Sequence, residues 1–262
     1  MLEYISPYYE IKIGPYLVQK AKRIDVFSDY QSPIDRAEMA LDAQGVKTGA
    51  IIKGMPVEIR EGYREKGLWN VFTGTVADVS WQRAVTIYAR NQMEALKDTK
   101  ITKTFVDVTP AEIIKYCLAK AGVAAFKLTA KALPKRHAFV VHEIDIIGVI
   151  RLISQTWQLD GWTYYFEPEG EFFWGTWEES PRYQQKEVVV FEYGKNIIDL
   201  KPSDQETGQL QTVILPFLRH SHVIRIRDQR FWQKEVPAKI EGVNHHQGEK
   251  ARTWLEWRII PS

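Results

Sequence analysis

The sequence has few of the features that stabilise small secreted proteins or anchor a chain in a membrane. It has a single cysteine, Cys117, which excludes an intrachain disulfide and a cluster of cysteine ligands, so we expect Cys117 to be a small core residue. No run of about eighteen apolar residues occurs, and residues 1–7 lack the basic start and apolar core of a secretion signal. We therefore expect a protein that is made in the cytoplasm and has no membrane anchor.

An excess of charge of either sign is also missing. Thirty-five Lys and Arg residues stand against 33 Asp and Glu residues, which gives a net charge of +2 at neutral pH. This balance implies neither tight wrapping by nucleic acid nor attraction to an anionic membrane surface. With 262 residues, 45% of them hydrophobic, the chain can bury a core of ordinary size in two domains or in one elaborated domain.

Motifs that carry catalysis are absent too. The sequence contains no glycine-rich phosphate loop, nucleophile elbow or zinc-protease helix. His220 and His222 would place two imidazoles on one face of a strand, a spacing that suits a metal, but no third ligand is evident nearby. His245 and His246 would point to opposite faces of a strand or lie in a turn before Gly248, and either arrangement is poor for binding one metal ion. We therefore predict a protein that is not an enzyme and has no catalytic, cofactor or metal site.

What the sequence does contain is one pattern that occurs twice. Residues 57–90 and residues 223–258 each hold three runs in which apolar and polar residues alternate, the period of a strand with one buried face. The third runs, Ala84–Arg90 and Ala251–Arg258, also share a frame of Ala, Thr and Arg. Two unrelated antiparallel sheets can look alike at this level, but the matched order favours an internal duplication of a small β module.

The segment before the first copy completes a larger β domain. Residues 8–13 and 21–29 predict strands, and residues 32–38, with Ser32 as a cap and Pro33 at the first position, predict a single helical turn before a further strand. With the first triplet this makes about six strands in about ninety residues, which fits a closed or nearly closed antiparallel barrel because closure removes free edges.

The middle of the chain has a helical period. Thr109 and Glu112 form a capping box at the start of a helix that Gly122 ends, and a second helix is predicted over about residues 143–159, ended by Gly161. A hairpin is predicted over residues 163–174.

The last segment predicts strands at residues 187–194, 196–200 and 211–217 before the second triplet. The predicted fold class is therefore mainly β with an α+β insert. Two antiparallel β-barrel domains, residues 1–95 and 187–262, flank a small α+β domain, residues 96–186.

Several patches carry a resemblance to a known family: Ser28–Asp29 leading to Ala37–Met39, Phe72–Val76, Thr109–Ile114, Gly161–Phe166, and Val243–His246 leading to Ala251–Leu255. On these patches and on the duplicated module, the chain resembles the phage tail baseplate hub family. That family includes the late control protein D of contractile phages and the hub part of type VI secretion spike proteins. The resemblance covers most of the chain.

The resemblance implies two barrels of the tail-tube type in each subunit and a homotrimer whose barrels form a ring of approximate sixfold symmetry. Such a hub would lie in the baseplate of a virion tail, after synthesis in the bacterial cytoplasm, and would join a hexameric tail tube protein to a trimeric spike protein. DNA would pass through its centre without specific binding. The near-neutral charge agrees, because many Lys and Arg contacts would hold the polymer.

Two loops between paired strands are candidate interface elements because they carry aromatic residues beside charged ones. The candidate residues are Tyr63 and Trp69 in one loop and Phe231 and Trp232 in the other. The alternative is that both loops are mobile hairpin tips.

Two other functions remain open at this stage. The chain has nine Trp and 12% aromatic residues, so exposed rings could form a carbohydrate- or peptidoglycan-binding module. A metal-assisted hydrolase that uses His220 and His222 is the third possibility.

Overall fold

Strands dominate the chain, and the mainly β fold class predicted from the sequence is confirmed. The computed structural model describes residues 6–18, 20–42, 47, 49–82 and 84–261. One compact unit comprises residues 1–91 and 181–262, and a second comprises residues 92–180. No helix of the described ranges has the length and apolarity that a bilayer crossing requires.

In chain order the elements are β1 Pro7–Ile13, β2 Tyr16–Val18, β3 Ala21–Asp29, β4 Arg36–Asp42, β5 Pro56–Tyr63, β6 Gly67–Trp81, β7 Ala84–Asn91, α1 Met93–Asp98, β8 Lys100–Val108, α2 Pro110–Lys120, β9 Phe126–Leu128, β10 Arg136–Asp145, α3 Ile146–Trp157, β11 Trp162–Phe166, β12 Phe172–Thr176, β13 Val189–Glu192, β14 Ile197–Pro202, β15 Thr207–Thr212, β16 Val223–Arg227, β17 Val236–Gln247 and β18 Arg252–Ile259.

The first module, residues 7–91, is an antiparallel sheet with the strand order β2-β1-β5-β6-β7-β4-β3. Its strands alternate inward apolar and outward polar residues, as the sequence predicts. Ile13, Met39, Ile59, Phe72 and Ile87, which come from five different strands, all belong to one buried cluster. Because both halves of the sheet contribute to the same core, the sheet must curve around it.

The second module, residues 189–259, has the strand order β13-β16-β17-β18-β15-β14. Phe191, Leu210, Ile226, Ile240 and Trp257 are core residues of a separate buried cluster. The unit therefore has two cores, one for each module.

The two modules have the same pattern of strand pairing. When β1, β3, β4, β5, β6 and β7 are matched in chain order with β13 to β18, each pairing of the first set is present in the second. The differences are that β2 has no counterpart and that β1 pairs antiparallel with β5 whereas β13 pairs parallel with β16.

Two local irregularities also recur at matched positions. Opposite β7, the register of β6 shifts by one residue between Val76 and Asp78, and opposite β18 the register of β17 shifts between Ile240 and Gly242. Such shifts mark β-bulges, which bend and twist a strand locally. A second pair of shifts lies opposite β4 and β15, at Ala21/Arg23 in β3 and Ile197/Asp199 in β14. Shared pairing and shared bulges support the interpretation of a duplicated module.

The unit of residues 92–180 contains a ribbon of β8 and β10, a sheet in the order β11-β12-β9, and three helices. The predicted capping box is confirmed, since the Thr109 hydroxyl accepts the Glu112 backbone N–H and the Glu112 carboxylate accepts the Thr109 N–H. Gly122, with φ of 74°, ends helix α2 as predicted. The predicted hairpin is also present as β11 and β12, with Gly170 in its turn.

Two predictions about local strands and turns are wrong. Residues 32–38 form no helical turn, because β4 already begins at Arg36 and leaves only a short bend after Tyr30. The strand predicted at residues 211–217 lies earlier, at Thr207–Thr212, because Asp204 closes a tight hairpin through the Thr207 N–H at 2.6 Å. The apolar residues that follow fill the core from a loop, with Ile214 fully buried.

The second helix is shorter than predicted at both ends. Asp145 is its N-cap, because its carboxylate accepts the Gly148 N–H at 2.8 Å, and the segment before it is strand β10. The helix ends at Gln158, which adopts a left-handed conformation with φ of 54°, and not at Gly161. Strands β8 and β10 were not predicted at all.

Candidate assembly interface

The two modules meet along one pair of strands. Strand β17 pairs with β16 through its first half, and its second half, Gly242–Gln247, pairs antiparallel with Asp29–Ile24 of β3. This joins the strands of both modules into one sheet of 13 strands. The junction is therefore built from backbone hydrogen bonds as well as side chains.

Polar pairs fix the register of this junction. His246 Nδ1 lies 2.8 Å from Asp25 Oδ1 across the two strands, and the Tyr30 N–H donates to the Glu241 carbonyl at 2.8 Å. His245 is buried on the opposite face of β17, so the two histidines lie in a strand and not in a turn, the first of the two predicted alternatives.

A loop of the second module, residues 213–222, reaches the first module through Arg219. The buried guanidinium donates to the carbonyls of Pro216 at 2.7 Å and Leu218 at 2.6 Å within its own loop, and to the Asn70 carbonyl of β6 at 2.8 Å. The Tyr63 hydroxyl of β5 donates to the Ile214 carbonyl at 2.8 Å. Side chains thus bridge the modules beside the paired strands.

Burial controls the charge of the ionisable groups at this junction. Glu61 is fully buried, and desolvation raises its pKa to about 8, against the opposing effect of the Arg219 charge. Desolvation together with the Arg219 guanidinium lowers the pKa of His245 to about 3. At neutral pH, Glu61 is therefore mostly protonated, His245 is neutral, and Arg219 carries the charge.

His220 and His222 lie in the same cationic surroundings. Arg182 Nη1 donates to His220 Nε2 at 2.8 Å, and the Arg219 N–H donates to His222 Nδ1 at 3.2 Å. Burial and these arginines lower the pKa of both imidazoles, that of His222 to about 3. A metal ion would face two guanidinium groups there, and in the described part of the chain no three His, Cys, Asp or Glu residues are grouped to hold one. The geometry gives no support to a metal-assisted hydrolase.

The four residues predicted as interface anchors lie in different surroundings. Tyr63 is only 1% exposed and ends strand β5, so it belongs to the junction between the modules and cannot be an exposed anchor. Trp69 is half-buried, with its ring centroid 6.0 Å from that of Phe217. Trp232 is half-buried against Trp257 at 5.7 Å. Phe231, at 47% exposed, keeps a surface position, and its docking role stays a prediction.

Trp81 and Trp254 are each 36% exposed, but several other tryptophans are unavailable to a sugar-binding face. Trp174 and Trp257 are core residues with at most 1% exposure, and Trp162 packs on Trp174 with ring centroids 4.5 Å apart.

Cys117 is buried in helix α2, where desolvation raises its pKa to about 12, as expected for a core cysteine.

No sequence signal pointed to Glu61 or Arg219. Both are charged residues in ordinary sequence surroundings, and only the folded arrangement shows that they are buried at one junction. An unexplained charge inside an alternating strand, as at Glu61 in β5, is the nearest thing to a signal.

Several solved structures of other proteins have a fold similar to that of this chain. No protein-family model matches the sequence, and no curated protein matches it. The 43 kDa tail protein of prophage MuSo2 from Shewanella oneidensis superposes with a TM-score of 0.74 at 12% identity, over 98% of each chain. A tail protein from Neisseria meningitidis MC58 superposes with a TM-score of 0.73 at 13% identity, over 97% of this chain and 96% of that one.

A third similar structure is the c3393 protein of E. coli, described as a component of the type VI secretion system with structural similarity to the T4 bacteriophage tail proteins gp27 and gp5. Its TM-score is 0.66 at 11% identity, over 96% of this chain and 77% of that one. The chain thus shares the fold of tail and secretion proteins, the group to which the sequence resemblance pointed.

Proposed function

We propose that this chain is a structural hub protein of a phage tail or a related contractile injection particle. Three copies would join a hexameric tail tube to a trimeric spike and leave a central channel for DNA. The protein works without catalysis or a cofactor, and its partners are the tail tube protein and the spike protein. The observation that carries the proposal is the doubled module, with its shared pairing order and shared bulges, in a fold found in tail proteins.

The doubled module answers a symmetry problem. A threefold object offers three equivalent positions, whereas a hexameric tube needs six. A trimer of chains that each carry two equivalent modules presents six similar binding positions on one ring. Head-to-tail contacts between the modules close such a ring. The differences between the modules suit this role, because each module must contact its own chain through one edge and a neighbouring chain through the other.

The channel is supported by charge. A net charge of +2 on 262 residues gives no general attraction for DNA. Multiple Lys and Arg contacts to phosphates would release counterions and hold the polymer, which would oppose passage.

The test is the assembly itself. Size-exclusion chromatography with light scattering should give a mass of three 30.4 kDa chains, and negative-stain images should show rings with six lobes, for the purified chain or for the chain mixed with its tail tube protein. Rings with a different number of chains, or particles in which the protein occurs outside the baseplate, would contradict the proposal.

A further inference from the structure

The junction between the modules can be used as a template for contacts between chains. It joins the second half of β17 in the second module to β3 in the first. Under the match of the modules, β17 corresponds to β6 and β3 corresponds to β14. The same contact can therefore form once more, between β6 of one chain and β14 of another.

The register of this second contact follows from the paired residues. The pairs Val76–Ala89 and Asp78–Tyr88 in the first module correspond to Ile240–Trp257 and Gly242–Glu256 in the second. Counting forward one residue at a time from Asp78 in β6 and from Gly242 in β17, Trp81 corresponds to His245 and Gln82 corresponds to His246.

The residues of β14 can be matched with those of β3 in the same way, through their pairing with β15 and β4. The pairs Val26–Ala37 and Ile24–Met39 correspond to Pro202–Gly208 and Leu200–Leu210. Lys201 therefore corresponds to Asp25. Because His245 pairs with Val26 and His246 with Asp25, the new contact would place Trp81 opposite Pro202 and Gln82 opposite Lys201.

Both strand edges are open in the described part of one chain. Strand β5 covers β6 only as far as Thr75, and the loop before β5 continues to Val76, so residues 77–82 have a strand on one side only. Strand β14 pairs with β15, and its one further bridge among the described residues, between Ile197 and Tyr193, lies at the far end from Lys201 and Pro202. Backbone directions also agree: the Gln82 N–H donates to Ala84 and the Ser203 N–H to Thr207, which turns the backbone groups of Trp81 and Pro202 towards the open edges.

Exposure differs between the internal junction and the open edges. His245 is 1% exposed, whereas its counterpart Trp81 is 36% exposed. Asp25 is buried, whereas its counterpart Lys201 is exposed. Natural proteins rarely leave strand edges with a large aromatic residue uncovered, because such edges pair with other chains.

We infer that the edge of β6 at Val79–Gln82 binds the β14 edge of a second copy of this chain, with Trp81 opposite Pro202 and Gln82 opposite Lys201. The inference rests on the proposed function only for the number of copies that close the ring. The pairing itself derives from the internal junction.

One difference makes this contact weaker than its template. Pro202 stands where the first module has Val26, and proline has no N–H to donate, so one ladder hydrogen bond is lost. The hairpin from β14 to β15 also turns earlier than that from β3 to β4, which shortens the paired edge. Chains should therefore associate reversibly, while the two modules of one chain remain joined.

Disulfide trapping tests the register. Gln82 and Lys201 correspond to His246 and Asp25, whose side chains meet across the junction, so Gln82→Cys with Lys201→Cys should crosslink chains under oxidising conditions. The matched control, Gln82→Cys with Asp199→Cys, moves one cysteine two residues along the same strand and should crosslink far less. The native Cys117 can remain because it is buried.

The outcomes separate this inference from the proposed function. A crosslink in the first pair only, in a three-chain ring, supports both. Three-chain rings without that crosslink overturn the inference and leave the hub, whereas the crosslink in an assembly of another size supports the inference and overturns the trimer. If neither the crosslink nor the ring forms at high protein concentration, with and without the tail tube protein, both proposals are overturned.

A second variant tests the role of Pro202. Pro202→Val restores the donor present at Val26 and should tighten association of the chains roughly two- to tenfold, as one added hydrogen bond would. Unchanged or weaker association, measured by light scattering across a dilution series, would contradict the pairing.

Discussion

Replacing Glu61 by Gln should remove a pH dependence of folding that one buried carboxyl creates. Glu61 is 0% exposed, and burial raises its pKa from 4.5 to about 8. Between these two values the folded protein holds a proton that the unfolded chain releases. The folded state then binds more protons, so its stability falls as the pH rises from about 4.5 to about 8.

The magnitude follows from the size of the shift. A shift of about 3.5 pKa units corresponds to about 5 kcal/mol, of which about 1.5 kcal/mol should be lost between pH 6.5 and pH 8. The buried imidazoles of His222 and His245, whose pKa values burial lowers to about 3, act in the opposite direction and still contribute at the lower end of this window, so the test compares the variant with the wild type at each pH. Their stabilising contribution is lost as the pH falls from about 6.5 towards 3.

The assay is urea unfolding at pH 6.5, 7, 7.5 and 8, followed by tryptophan fluorescence. The unfolding free energy of Glu61→Gln should exceed that of the wild type by an amount that grows by about 1.5 kcal/mol across the series and reaches roughly 4 kcal/mol at pH 8. Glu65→Gln, an exposed carboxylate in the turn after the same strand, is the matched control and should keep the wild-type slope. A Glu61→Gln variant whose unfolding free energy differs from the wild-type value by the same amount at pH 6.5 and at pH 8 would refute the reasoning.

Three further predictions concern single residues. Arg219→Met should cost roughly 3 kcal/mol or more of unfolding free energy, because it removes the donor to three buried carbonyls, and a loss below 1 kcal/mol in urea unfolding would contradict this. Thr109→Ala should cost about 1 kcal/mol by loss of the helix cap, whereas Lys115→Ala, on the exposed face of the same helix, should change little in the same measurement. Phe231→Ala should leave folding unchanged but weaken binding to the tail tube or spike protein in a pull-down, with the exposed Leu17→Ala as a control that binds normally.

The strands and caps that depend on local sequence could be predicted, and the pieces that depend on distant contacts could not. Alternation identified both strand triplets, and the Thr109 capping box fixed one helix start. Strand β10 was missed because its last residues run directly into helix α3, so the strand and helix periods overlap in the sequence. The β14–β15 hairpin was misplaced because the polar residues that close it resembled a linker.

The candidate interface was harder to predict from the sequence than the strands and helices were. The junction pairs Asp25 with His246, which are separated by 221 positions, and no local pattern encodes such a contact. Tyr63 was taken for a loop residue because it stands beside charged residues, yet the turn begins after it, and its ring is buried. Burial at a module boundary is set by the partner module, so a single alternating strand cannot reveal it.

Divergence between the modules has a physical purpose if the chain assembles as proposed. With identical modules, β17 would pair as readily with β14 of another chain as with β3 of its own, and mixed or open-ended assemblies would compete with a closed ring. The internal junction carries His246 beside Asp25 and a full backbone ladder, whereas the open edges offer Gln82 opposite Lys201 and a proline that removes one donor. Exchanging the partners would replace the His246–Asp25 pair by Gln82 beside Asp25 and would set the Lys201 cation against His246. The sequence differences between the two modules therefore favour pairing within the chain first and pairing between chains second, the order that a ring built from complete subunits requires.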